Sequence, residues 1–245
     1  METNVQDFDR AQALAVFTRR LSALVDIGVR LYDCMLTISK DGPAPYSEFA
    51  AGLVARWDRG DDRVTLSDAM VERSDLFSRF YVNTVRWGEI GGILEVSFGQ
   101  LAELAEASLR VWTRTGKPSG WFWLLDPAHA AVPRDWSEID ARQQKLILML
   151  WSRSLGLMLA AGVPFAMALE TAADLLPEAQ RQWMNETTAE TFKQHRKISD
   201  ALAESGFIPP FLVMMMSIGE VAGNLDDVLE KAALAYEHEL EIELT

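Results

Sequence analysis

Cysteine is almost missing from this sequence: Cys34 stands alone among 245 residues. A single thiol excludes an internal disulfide framework and a cysteine-built zinc cage, and it fits a reducing compartment. Its apolar neighbours suit an inert, buried thiol. Histidine is nearly as scarce. His129, His195 and His238 are scattered, with no H-E-x-x-H pair, no metal-ligand spacing and no nucleophile motif beside them. The sequence also lacks a G-x-x-x-x-G-K-[ST] loop to cradle phosphate and a G-x-S-x-G turn to present a serine. The cluster "DRGDD" at 58–62 falls short of the twelve-residue EF-hand pattern with its closing glutamate. No catalytic, cofactor-binding or metal-binding residue is therefore expected, and enzyme activity is not.

Long hydrophobic runs are absent too. A membrane span needs roughly 18 consecutive apolar residues. "LILMLWSRSLGLMLAAGVPFAMAL" is interrupted by Arg153 and divided by "AGVP", and "FIPPFLVMMMSIG" is short and carries two prolines. Both read as core helices of a soluble protein, with "MMM" at 214–216 in the core. The N-terminus is acidic and lacks the basic start, apolar run and cleavage site of a secretory signal, so the mature chain is expected to begin near Met1. Positive charge is in deficit: 23 Lys and Arg stand against 36 Asp and Glu, a net charge of -13. Such a field opposes nucleic acid, and no nucleic-acid partner is expected.

What is present is helix. Apolar residues recur at three-to-four spacing in "AVFTRRLSALVDIGVRLYDCMLTIS", "EFAAGLVARW" and "ILEVSFGQLAELAEASLRVW", with no sustained two-residue alternation. Helix breakers at Gly28, 41–45, 58–62, 88–92 and 115–120 cut the first part into about five or six helices. The sequence then repeats itself. "FTRRLSALVDIGVRL" at 17–31 lies over "WSRSLGLMLAAGVPF" at 151–165, "LSDAM" at 66–70 over "ISDAL" at 198–202, and "GEIGGIL" at 88–94 over "GEVAGNL" at 219–225. Three blocks in one order at nearly constant spacing indicate internal duplication of a unit too long for a solenoid repeat. The predicted fold is all-α: two tandem antiparallel helical bundles of about six helices each, at 1–110 and 145–245, joined by a linker at 111–144.

The recurring residues have physical uses. Gly28 and Gly162 can take the left-handed conformation that ends a helix, and Pro164 suits the first turn of the next one. Gly88, Gly92, Gly219 and Gly223 allow a tight reversal. Asn224 can cap the last helix, with Asp227 adding negative charge at its positive end, whereas the first copy has Ile93 and Val96 at those places. Glu89 and Glu220 recur inside the turn. Two roles stay open for them: bonding to neighbouring backbone amides, or receiving a partner's arginine.

A hairpin reading F-T-R-x-L-x-x-L-x-x-x-G-V, then L-S-x-A, then G-E-x-x-G, occurring twice, resembles the F domain of type II secretion and type IV pilus systems, the inner-membrane platform family GspF/PilC. The resemblance covers about residues 15–108 and 149–240. It implies that each copy is a bundle of six antiparallel helices on the cytoplasmic side, docking between an assembly ATPase and other platform components, without catalysis and without cofactor. Family members carry membrane helices after each domain. Here "TRTGKPSGWFWLLDPAHAAVPRDWSEIDARQ" stands in the first place, and the chain stops at "YEHELEIELT" where the last would begin. Trp151 stands where the family has Phe, and Gly60 has no glycine counterpart near Lys197.

The linker mixes Arg110, Arg114 and Lys117 with Trp112, Trp121, Phe122 and Trp123. Those aromatics suit either a cleft between the bundles or a lipid-water interface, so membrane contact is at most peripheral. From Asn224 onward seven acids face Lys231 alone, a local charge of -6, which reads as a solvated terminus or as a surface for a basic partner. Two functions follow. One is a non-catalytic scaffold of a secretion or pilus platform, cytoplasmic or peripheral at the cytoplasmic face of the inner membrane, with protein partners and room for homo-oligomers. The other is a soluble helical adaptor or regulator that has left the machine.

Overall fold

The computed structural model describes residues 2–61, 63–116, 125 and 135–242. Among them are twelve α-helices and no strand, so the fold is all-α. The chain divides into two units, Met1–Ala131 and Val132–Thr245. The first holds α1 (Glu2–Asp26), α2 (Leu31–Asp41), α3 (Tyr46–Asp58), α4 (Leu66–Val71), α5 (Arg79–Gly91) and α6 (Leu94–Thr115). The second holds α7 (Ala141–Ala160), α8 (Phe165–Ala172), α9 (Glu178–Lys193), α10 (Ile198–Glu204), α11 (Pro210–Ala222) and α12 (Leu225–Ile242), with 3-10 turns at Trp136–Glu138 and Ala173–Leu175. In each unit a long first helix lies along a long last helix, and the fourth helix is the shortest. Helix α6 runs past residue 110 and α7 begins before 145, so both bundles reach into the expected linker.

The pairing of first and last helices follows from which residues face inward. In α1 the buried positions Ala11, Leu14, Ala15, Thr18, Leu21 and Ser22 recur every three or four residues, and α6 answers with Leu101, Ala102, Ala105 and Ser108. Small residues let the two helices approach closely. In the second unit the same place falls to Gly156 of α7, where a Cβ would come within 3.1 Å of the Asp226 carbonyl oxygen and 3.2 Å of the Leu229 Cβ on α12. The first unit carries Ser22 at that position.

Aromatic rings fill the first core. Phe17 stacks on Tyr46 at 4.9 Å, and Phe77 sits 4.9 Å from Phe49 and 5.3 Å from Tyr81. The fully buried Tyr81 hydroxyl shares a 2.9 Å hydrogen bond with Thr18, whose hydroxyl also reaches the Leu14 carbonyl at 2.8 Å, and burial raises the Tyr81 pKa. In the second unit Trp151, Ser152 and Leu212 occupy the places of Phe17, Thr18 and Tyr81. Leucine cannot answer a hydroxyl, and the buried Ser152 Oγ has no partner there. Cys34 is fully buried, its sulfur 3.5 Å from the Val29 carbonyl oxygen, and burial raises its pKa.

The duplication extends to single hydrogen bonds. At the first hairpin Gly28 N–H donates to Val25 O (2.9 Å) and Val29 N–H to Leu24 O (3.0 Å); at the second, Gly162 N–H donates to Leu159 O (2.9 Å) and Val163 N–H to Met158 O (2.9 Å). Both glycines have φ of +80°. Pro164 stands at the N-cap of α8, one residue before its first turn.

Candidate functional site: the repeated helix-end motif

G-E-x-x-G ends α5 at residues 88–92 and α11 at 219–223. Its three fixed residues answer three different requirements. The second glycine sets the backbone: Gly92 has φ +65° and Gly223 φ +73°, each closing its helix by donating back to Gly88 O or Gly219 O. The first glycine makes room. A Cβ on Gly88 would sit 2.6 Å from Ser97 Oγ, and one on Gly219 would sit 2.9 Å from Leu225 Cδ2 and 3.0 Å from its Cα. Without side chains here, the last two helices of each unit can meet at the bend.

The glutamate reaches across the unit to the start of the short fourth helix. Glu89 accepts from Leu66 N–H at 2.7 Å and Ser67 N–H at 3.2 Å; Glu220 accepts from Ile198 N–H at 2.7 Å, Ser199 N–H at 3.2 Å, and the Ser199 hydroxyl. These are the first two amides of α4 and α10, which have no partner within their own helices. A carboxylate there also meets the positive end of the helix dipole. In the first unit Thr65 takes the next amide, Asp68 N–H, at 3.1 Å. The residue at that place in the second unit is Lys197, which makes no side-chain cap, so α10 depends more heavily on Glu220. Of the two roles open to these carboxylates, the geometry shows bonding to backbone amides, although the amides lie more than twenty residues upstream rather than next door.

Asn224 departs from expectation. Its Oδ1 is buried and accepts no hydrogen bond, so the predicted side-chain cap of α12 is not formed; Ile93 likewise leaves α6 without one. The left-handed glycine before each helix already sets the reversal. Trp112 lies on α6 in the first unit, 3% exposed and edge-on to Phe8 of α1 at 5.5 Å. Trp121, Phe122 and Trp123 lie outside the described residues. The methionines divide, with Met216 buried and Met214 56% exposed.

A second repeated contact was not foreseen. Arg19 grips Glu106 through two bonds of 2.6 and 2.8 Å, and Arg153 bonds Glu237 at 2.8 Å, so both units tie the first helix to the last at the same place. The bond raises the Arg19 pKa and lowers that of Glu106. Arg153 also lies 3.8 Å from Glu230, and Lys145 lies 2.9 Å from Glu239. Much of the acidic last helix is thereby matched by cations of α7. The signal was available, since Arg19 recurs as Arg153 and the offset of the G-E-x-x-G blocks carries Glu106 onto Glu237.

Glycine's missing counterpart also appears. His195, two residues after α9, has φ +54° and repeats the bonding of Gly60 (φ +86°) two residues after α3: Gly60 N–H to Trp57 O at 2.9 Å, His195 N–H to Phe192 O at 3.2 Å. Among the described residues no cluster of His, Cys, Asp and Glu could hold a metal ion, and no helix is long and apolar enough to cross a membrane.

Fold and motif together define an all-helical protein built by tandem duplication of a six-helix unit. The family model for type II secretion system protein F matches it twice, at residues 17–115 and 151–245, and the chain belongs to that family. Among curated relatives, the type IV pilus assembly protein PilC of Myxococcus xanthus is 21% identical over 301 residues, covering 93% of this chain and 71% of that protein. The type 4 fimbrial assembly protein PilC of Pseudomonas putida is 24% identical, covering 92% and 74%. The type II secretion system protein F of Xanthomonas campestris is 24% identical, covering 95% and 74%.

Proposed function

We propose that this chain is a non-catalytic docking module of a secretion or pilus assembly platform, with the two units acting as rigid bodies for protein partners at the cytoplasmic face of the inner membrane. The family match carries this reading: it falls once on each unit, and relatives whose names record pilus assembly and type II secretion align along nearly the whole chain. The repeated motif supports it in a specific way. Its glycines and glutamates are engaged in holding helix ends together, so they supply the rigidity a docking body needs and leave recognition to outer faces that differ between the units. The partners proposed are an assembly ATPase and other inner-membrane platform components. Residues 111–144 are proposed to stand where relatives carry a membrane span, a reading favoured by an alignment with the Myxococcus protein that is longer than this chain.

The test is genetic and biochemical. Deleting the gene should abolish secretion or piliation in its host, and the chain should co-purify with the ATPase and platform proteins under gentle extraction. Normal secretion and piliation in the deletion strain, with the chain recovered on unrelated partners, would favour the soluble adaptor instead.

A further inference from the structure

The two units serve as controls for one another. Where duplication has kept an apolar floor and changed only the side chains around it, the change is free to answer a need of function. Such a place lies between α4, the turn after it, and α5, in a groove of about 470 Å³. Its floor is buried: Met70, Phe77 and Val82 are 0%, 2% and 5% exposed. The second unit keeps that floor in kind, with Leu202, Ile208 and Val213 at the same places. The rim differs. Arg79, Asn83 and Arg86 of α5 line the groove, where α11 has Pro210, Met214 and Ser217.

Arg79 and Arg86 stand two turns apart on one side of α5, about 10.5 Å along its axis. Between them lies the apolar floor, with the half-exposed Val71 on the facing rim. Cation, apolar recess and cation thus follow one another in line. In a chain of net charge -13 this is a local reversal of sign. The acids close by do not cancel it. Glu72 is held by Arg56 and Asp75 by Arg73, both at 2.8 Å, and Asp68 lies 3.7 Å from Arg86, beyond hydrogen-bond reach. An amphipathic helix has the complementary repeat: carboxylates at i and i+7 meet the two guanidiniums, and an apolar side chain at i+3 or i+4 enters over Phe77 and Val82. The acidic helix of this chain is already engaged, since Glu237, Glu239 and Asp227 of α12 pair with Arg153, Lys145 and Lys231. A lipid surface is met by cations clustered on an outward face, whereas these two flank a recess.

We infer, resting on the docking-module reading, that the groove between α4 and α5 receives an acidic amphipathic helix of a partner protein. Two carboxylates of that helix, seven residues apart, meet Arg79 and Arg86, and an apolar side chain between them covers the Met70, Phe77 and Val82 floor. Selecting a displayed library of helical peptides, each about five turns long, against the full chain tests the groove by itself. Enriched peptides should carry Asp or Glu seven residues apart, with Leu, Met or Phe three or four residues after the first acid. Such a peptide should bind at least about tenfold more weakly to the Arg79→Gln, Arg86→Gln double variant, with circular dichroism and melting unchanged. Val71→Glu, at a half-exposed position, should weaken it as well. Asp68→Asn should tighten binding about two- to threefold by releasing Arg86, and Met214→Glu, at the place of Asn83 in the second unit, should change nothing. Enrichment without the paired acids, or binding indifferent to the two arginines, would overturn the proposal. In the native host, a photo-crosslinker at Asn83 should capture a peptide of the same pattern. Adducts with lipid or with a second copy of this chain would overturn the groove, as would platform adducts at other outer positions with none at Asn83, which would leave the docking reading standing. A peptide of the expected pattern from a protein outside the platform would uphold the groove and overturn the docking reading instead.

Discussion

Glu220→Ala removes the one side chain that closes the start of α10. Ile198 and Ser199, whose amides it accepts, are each 2% exposed, so water cannot easily take its place. A hydrogen bond to a charged group contributes about 1.5–3 kcal/mol, and a buried amide left unmatched costs about 1–3 kcal/mol. Glu220 is itself half-buried, and α10 can shift to let some water in, so its three bonds cannot simply be added. We expect a loss of about 2–4 kcal/mol from the second unit, a large share of the roughly 5–15 kcal/mol that holds a domain folded. Glu220→Gln keeps one acceptor oxygen and the chain length but gives up the charge, and should lose about half as much. Glu89→Ala should cost somewhat less than Glu220→Ala, because Thr65 still holds the next amide of α4. Urea denaturation gives the totals, and hydrogen exchange of 198–204 shows whether the loss starts at α10. A change below about 0.5 kcal/mol in Glu220→Ala, with exchange in α10 unaltered, would refute the reasoning; if ATPase binding were lost at the same time, the carboxylate would be a docking group.

The helix bend makes a second prediction: Gly219→Ala should destabilise by about 1–3 kcal/mol through collision with Leu225, and Gly88→Ala likewise through Ser97, with partial rescue of the latter by Ser97→Gly, in thermal melts. His195→Gly should raise stability by about 0.5–1 kcal/mol, since glycine enters the left-handed region without strain; a lower melting temperature would contradict the role given to His195. Asp135 accepts from Ser137 N–H (2.9 Å), the Ser137 hydroxyl (2.7 Å) and Gln180 (3.2 Å), bonds to the ionised form that depress its pKa from 3.8 to about 2. Because the folded value lies below the ordinary one, its contribution is complete above about pH 4 and fades as pH falls toward 2. Carbon-detected NMR titration should find this low value and an upward shift in Ser137→Ala.

How much of this was legible in the sequence depended on the range of each contact. Three-to-four spacing and glycine breaks report on a residue's own helix, so the all-α fold, the left-handed hairpin glycines and the reversals at 88–92 and 219–223 could be read locally. The role of Glu220 could not, because its amides lie 22 residues upstream and are brought to it by the packing of α10 against α11. Asn224 failed for another reason. A capping pattern names a residue type and a position but not the side chain's orientation, and the Asn224 Oδ1 is buried without a hydrogen bond in the folded chain. The Arg19–Glu106 pair and its copy join the first and last helices of each unit across 87 and 84 residues of sequence, with a shift in repeat offset between their two halves. His195 is hidden by residue type: glycine is the usual mark of a positive φ, whereas the backbone here takes that φ with a histidine, at a cost.

The central claim is that this chain serves a secretion or pilus platform by binding proteins. In vivo photo-crosslinking, with probes placed on exposed positions of both units in the native host, tests it most directly. The account predicts adducts with an assembly ATPase or an inner-membrane platform component at a subset of positions on the outer faces. Adducts confined to proteins outside that machinery, in a strain whose secretion and piliation survive loss of the gene, would contradict it.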